Sequence, residues 1–298
     1  MKPQSSRKIP DPARLKGWTQ TLPAAQPARL RFYKMHGLGN DFVILPGAGA
    51  LASPAIQRIA DRRFGIGCDQ ILFLDERGPG VFGYRVFNAD GSEAEQCGNG
   101  LRCLARLAYD LGAPQASELR FEGLGGVHFA RRVEPEQIRV SMGIPKLDPG
   151  SIPFIAPGQA KSYPIDVSGM DFTVGAVSMG NPHLLLRVQN LKTAAIAKLG
   201  PALENHPRCP ERANIGFLEV HSRTELELRV HERGVGETLA CGSGACAAVV
   251  WGRLMDWLGP QVKVHLPGGT LAIEWAGAGT PVYMTGPATP VFTGEIEP

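Results

Sequence analysis

The turn Cys-Gly-x-Gly occurs twice in this chain, as Cys97-Gly-Asn-Gly100 and, 144 residues later, as Cys241-Gly-Ser-Gly244. Two further pairs keep the same order. Gly39-Asn40 returns as Gly180-Asn181, 141 residues on, and Arg63-Phe-Gly-Ile-Gly67 as Arg212-Ala-Asn-Ile-Gly216, 149 residues on. Ordered matches at nearly one spacing are the mark of an internal duplication. A chain of 298 residues has room for two domains. What the first half folds into, the second half should fold into again.

The apolar pattern fits that reading. Ordered structure is expected to begin near Leu30. Ser53-Pro54 reads as an N-cap and first-turn proline ahead of a helical stripe at Ile56, Ile59 and Ala60. Strands are predicted over 71–74 and 82–87, then a helix over 99–111 ended by Gly112, then strands over 119–122, 127–133 and 138–142. The second half predicts strands over 172–178, 184–188, 215–220 and 225–230, a helix over 243–258, and three closing strands. That second helix is apolar on nearly every side, which predicts burial. The expected fold class is α/β, with two pseudo-symmetric domains, each a mixed β-sheet wrapped around a central buried helix. The domains are placed at 30–143 and 144–286, with about 287–298 returning to the first. Residues 1–29 hold six Lys or Arg, five prolines and one acid, Asp11, and read as a flexible tail.

Each Cys-Gly-x-Gly turn sits where a loop becomes a buried helix. Free backbone N–H groups and the positive end of the helix dipole favour an anion there. The thiol at such a place is expected to have a lowered pKa and to act as a base or nucleophile. Two such turns facing each other would put one sulfur on each side of a substrate carbon. One thiolate removes a proton from one face and the opposite thiol returns one to the other, which inverts the centre. Cys68, Cys103, Cys209 and Cys246 read instead as small core residues. A zinc site is disfavoured, because Cys97 to Cys103 and Cys241 to Cys246 lack Cys-x2-Cys spacing and no His pair accompanies them. A net charge of +3 argues against a nucleic-acid partner, and no apolar run is long enough to span a membrane. With no secretory segment, the six cysteines read as free thiols and the location as cytoplasmic.

Six motifs together resemble the diaminopimelate epimerase family over about residues 30–298: Met35-His-Gly-Leu-Gly-Asn-Asp-Phe42, Phe87-Asn-Ala-Asp-Gly-Ser92, Gln96-Cys-Gly-Asn-Gly100, Ser178-Met-Gly-Asn-Pro-His183, Glu232-Arg-Gly-Val-Gly-Glu-Thr238 and Ala240-Cys-Gly-Ser-Gly-Ala-Cys246. The resemblance implies an isomerase of lysine and peptidoglycan precursor synthesis. It would convert LL- to meso-diaminopimelate with no cofactor, no pyridoxal phosphate and no metal, as a homodimer. It implies Cys97 and Cys241 as the acid–base pair, with His183 and Glu232 in support. It implies that Gly98, Asn99, Gly242 and Ser243 hold the reacting carboxylate. Substrate contacts are implied for Asn40, Gln70, Asn88, Asn181, Asn214, Glu232 and Arg233. Taken alone the asparagines would read as turn residues and His183 as structural. Arg102 and Glu237, beside the motifs, read as scaffold. The tail at 1–29 departs from the family. Competing readings are a proline-type racemase of the same fold, a thiol hydrolase with one nucleophilic cysteine, and a non-catalytic binding module.

Overall fold

The structure, a computed structural model, describes residues 29–297 except 50 and 116. Apart from Arg29, the tail expected at 1–29 lies outside the described residues. The first half runs β1 (Leu30–Gly37), β2 (Asn40–Pro46), α1 (Ser53–Ala60), β3 (Gln70–Gly78), β4 (Val81–Asn88), β5 (Glu93–Ala94), α2 (Gly98–Asp110), β6 (Leu119–Gly123), β7 (Gly126–Arg132) and β8 (Gln137–Ser141). After β9 (Tyr163–Val167) the same series returns as β10 (Met170–Ser178), β11 (Pro182–Arg187), α3 (Ile196–Glu204), β12 (Asn214–Ser222), β13 (Glu225–Glu232), β14 (Gly236–Thr238), α4 (Gly242–Leu254), β15 (Gln261–Leu266), β16 (Gly269–Trp275) and β17 (Val282–Pro287); β18 (Thr289–Ile296) follows.

The register repeats as well. Phe42 lies opposite Gln70 in the parallel β2–β3 pair, and His183 opposite Asn214 in the parallel β11–β12 pair. Gln70 and Asn214 are therefore counterparts, 144 residues apart, and the match of Arg63–Gly67 with Arg212–Gly216, which set Asn214 against Gly65, is not part of the repeat. The strands follow one another as β18, β1, β2, β3, β4, β6, β7 and β8 in one half, and β9, β10, β11, β12, β13, β15, β16 and β17 in the other. The halves join edge to edge through antiparallel β8 and β17. Parallel and antiparallel neighbours alternate in the same places in both. The outer strands are exchanged: β9 follows β8 in sequence but pairs with β10, and β18 follows β17 but pairs with β1.

Helices α2 and α4 are enclosed by these strands. Their buried faces, Leu101, Cys103, Leu104, Leu107 and Ala108 on one and Ala245 to Trp251 on the other, belong to a single core shared by both halves. Two smaller cores lie on the other side of the strands, under α1 and under α3.

Several elements differ from expectation. Helix α4 stops at Leu254, four residues short of the predicted end, because Trp257 and Leu258 both turn their N–H groups back to the Gly252 carbonyl and Asp256 takes a left-handed φ of 59°. Ser53 is the first residue of α1 and not its cap; Ala52 occupies the cap, with no side-chain bond. Helix α3 and strand β9 were not expected. Helix α3 carries Gly200 and Pro201 in its interior, and β9 carries Pro164, so breaker residues masked both.

Candidate active site

Short strands β5 and β14 lead straight into the two Cys-Gly-x-Gly turns, and each cysteine is the N-cap of its buried helix. Both hold extended backbone, with φ/ψ of −142°/110° at Cys97 and −108°/104° at Cys241. The Cys97 Sγ accepts the Gly100 N–H at 3.4 Å and lies 3.8 Å from the Asn40 Oδ1. The Cys241 Sγ lies 3.6 Å from the Ser243 Oγ. Neither cysteine is in a disulfide.

The first turns of the two helices meet. Asn99 Nδ2 donates to the carbonyl of Ala240, the residue before Cys241, at 3.0 Å, and to Asn40 Oδ1 at 3.1 Å. A side chain at the first residue of either helix would crowd its neighbours. A Cβ on Gly242 would stand 2.9 Å from Asn99 Oδ1, and one on Gly98 would stand 2.7 Å from the Met142 side chain. The duplication thus places its two cysteine turns against each other, with one side-chain amide bridging them.

The electrostatics reverse the expected lowering of the thiol pKa. Burial pushes Cys97 up to about 11 and Cys241 well above its ordinary value, and the Glu232 carboxylate adds to both shifts. The Gly100 and Asn99 N–H groups and Arg102 pull Cys97 down, but by less. Desolvation of a thiolate outweighs a few partial charges at a helix end. Glu232 is itself raised by burial, against the hydrogen bonds it accepts from Thr238 and Cys241. Both shifts favour the thiol over the thiolate.

His183 is fully buried, and burial with the charge of Arg233 nearby brings its pKa down to about 3. It is a neutral imidazole whose Nε2–H donates to Asn181 Oδ1 at 2.9 Å. That contact orients Asn181; no hydrogen bond joins His183 to either cysteine among the described residues. Asn214 accepts the Arg233 backbone N–H at 3.0 Å and donates to the Pro182 carbonyl at 3.1 Å. The Arg233 side chain is exposed, and its guanidinium bonds only the Glu211 carbonyl, at 3.0 Å, among the described residues. On the other side, Gln70 donates to Asn88 at 2.9 Å, and its buried Oε1 has no hydrogen-bond partner among the described residues. Asn40 donates to Asp69 at 2.8 Å. The residues named from sequence therefore gather as a bridged centre (Asn40, Cys97, Asn99, Cys241, Ser243, Glu232), one amide pair on the first half, and a His–Asn–Arg group on the second.

Three contributors were not singled out. Gln96 Nε2 donates to the Met179 carbonyl at 2.7 Å, tying the first cysteine turn to the β10–β11 turn. Thr238 bonds Glu232. Arg102, read as scaffold, hydrogen-bonds Asn99. Gln96 and Thr238 are the first and last residues of two of the six motifs, and Arg102 follows Gly100 by two positions.

The family model of diaminopimelate epimerase matches residues 32–147 and 175–291. The chain is 52% identical over 275 residues to the diaminopimelate epimerase of Alkalilimnicola ehrlichii, covering 90% of this chain and 99% of that one. It is 50% identical over 277 residues to that of Thioalkalivibrio sulfidiphilus, with the same coverage. Among solved structures, a probable proline racemase from Agrobacterium radiobacter shares the fold with a TM-score of 0.66 at 13% identity, over 90% of this chain and 92% of that chain. A phenazine biosynthesis protein of the PhzF family from Enterococcus faecalis does so with a TM-score of 0.63 at 15% identity, over 90% and 99%. At those identities the likeness concerns fold alone.

Proposed function

The chain belongs to the diaminopimelate epimerase family, and from that premise we propose a two-base epimerisation carried by Cys97 and Cys241. The protein is an isomerase that converts LL- to meso-diaminopimelate in lysine biosynthesis. The observation that carries the mechanism is the meeting of two cysteine-capped helices, bridged by Asn99.

The α-carboxylate of the substrate takes the N–H groups of Gly98-Asn99 and Gly242-Ser243, which have no carbonyl partner within their own helices. These donors strengthen as charge builds on the carboxylate during proton loss. The substrate's α-ammonium enters beside two neutral thiols. Its charge favours a thiolate, and Glu232, already bonded by the Cys241 thiol, is placed to take that proton. The thiolate then removes the α-hydrogen from one face, and the opposite thiol delivers its own proton to the other. One sulfur ends as thiol and the other as thiolate, so proton exchange resets the pair. The unreactive end of diaminopimelate meets Arg233, Asn181 and Asn214, where a cation and two amides suit a carboxylate and an ammonium.

Turnover in heavy water tests the two-base step. The delivering thiol exchanges with solvent, so newly inverted product should carry deuterium from the first turnovers while recovered substrate stays nearly unlabelled. Equal early labelling of both would mean one base serves both faces.

The protein is also proposed to be a cytoplasmic homodimer. Its cysteines are unpaired, and no helix among the described residues is long and apolar enough to cross a membrane. The outer strand β18 leaves Val291 and Phe292 exposed, a face for a second copy. Sedimentation of the pure protein at the mass of a single chain would refute the dimer.

A further inference from the structure

Arg102 has no exposed surface, yet no carboxylate pairs with it among the described residues. A buried guanidinium normally sits against an acid, because an unpaired charge in the interior is costly. Here Nη1 donates to Asn99 Oδ1 at 2.9 Å and approaches the Met284 sulfur at 3.4 Å, while Nε donates to the Pro287 carbonyl at 3.2 Å. Its Nη2 is buried, has no hydrogen-bond partner among the described residues, and lies against Gly37. The titratable groups that face it are Cys97 and Cys103 from its own helix and Cys246 from α4. From strands β1 and β17, Gly37, Met284, Gly286 and Pro287 lie against it.

The duplication sharpens the point. By the 144-residue spacing of the cysteine turns, the counterpart of Arg102 is Cys246, a small fully buried residue. Two guanidinium groups would collide where α2 and α4 meet, so the pseudo-symmetric site holds one cation and not two. That cation reaches both halves through Asn99. Arg102 fixes the Asn99 amide with Oδ1 inward, which forces Nδ2 outward onto Asn40 Oδ1 and the Ala240 carbonyl. Asn40 Oδ1 lies against the Cys97 sulfur, and Ala240 immediately precedes Cys241.

We propose that Arg102 is the positioning residue of the reaction: its single charge offsets thiolate formation at Cys97, and its hold on Asn99 sets the spacing of Cys97 and Cys241 across the two halves. This rests on the reading of Cys97 and Cys241 as the acid–base pair. The assignment explains why a charge is kept unpaired at this depth. An acid beside Arg102 would cancel the field that a transient thiolate needs. The direction agrees with the fact that Arg102 opposes the burial-driven rise of the Cys97 thiol.

The test compares Arg102→Met and Arg102→Lys with the unaltered enzyme by pH profiles of kcat and kcat/KM on LL-diaminopimelate, with circular dichroism to verify folding. Arg102→Met should lower kcat about thirtyfold with KM changed less than about threefold, and should move the acid limb of kcat/KM to higher pH by about one unit. Arg102→Lys keeps the charge but not the planar fork, so its acid limb should stay in place while kcat falls about tenfold. A folded Arg102→Met enzyme with an unmoved acid limb overturns the electrostatic role. Wild-type kcat in Arg102→Lys overturns the hold on Asn99. If Arg102→Met does not fold, Arg102→Lys decides alone: a lowered kcat with an unmoved limb supports the assignment, and a displaced limb or an unchanged kcat refutes it. Failure of the cysteine reading would show separately, as full activity in Cys97→Ala.

Discussion

Replacing Cys97 with alanine should reduce the conversion of LL- to meso-diaminopimelate by about ten-thousandfold or more, and Cys241→Ala should do the same. The size follows from the division of labour. Each face of the substrate carbon meets one sulfur, and no other described side chain in the bridged centre can act on that face. Glu232 is bonded by Thr238 and Cys241, and His183 is a neutral imidazole turned toward Asn181. Alanine leaves the backbone N–H groups in place, so binding should change little and the loss should fall on kcat. The two variants should also differ in kind. Each keeps one sulfur, so each should exchange the α-hydrogen of only one stereoisomer with heavy water, and the two should choose opposite isomers. Loss of inversion without that complementary exchange, or inversion within tenfold of the unaltered enzyme, would reject one cysteine per face.

Arg233→Ala should lower kcat/KM by a hundredfold or more, equivalent to about 3 kcal/mol, mainly through KM. Arg233 is exposed in this structure, and among the described residues its guanidinium makes a single hydrogen bond, to the Glu211 carbonyl. Its charge is felt by His183, so it stands over the His–Asn group of the second half. A distal carboxylate would pair with the free side of the guanidinium and be stranded without it. Substrates lacking that carboxylate should lose little on the same substitution. Measured KM for diaminopimelate within threefold of the unaltered enzyme would place the distal end elsewhere.

The duplication was legible because its signals are local. Two glycine-rich cysteine turns, two Gly-Asn turns and two apolar helices can each be read within a few residues. Helix α3 was lost because Gly200 and Pro201 interrupt its pattern, even though its counterpart α1 was found. The thiol pKa shifts were misjudged for a related reason. The sequence displays the helix N-terminus that lowers a thiol pKa, but not the burial that raises it, and burial here comes from both halves at once. Nothing in the sequence marks Arg102, because its depth is a tertiary fact. Next to Leu101 and Cys103 it resembles any arginine on the outer face of a helix, until the sheet closes over it.

The exchange of outer strands has a consequence for how the chain is made. A ribosome delivers residues 30–141 first, but β1 must wait for β18 at Thr289–Ile296, and Arg102 must wait for Met284 and Pro287. Until then the first half carries an unpaired strand edge, the usual template for wrong pairing between nascent chains. Neither half is a self-sufficient unit that could be released early and remain partly competent. Premature stops and C-terminal clipping would therefore yield aggregation-prone fragments, and the cell would see synthesis of this protein as all or nothing.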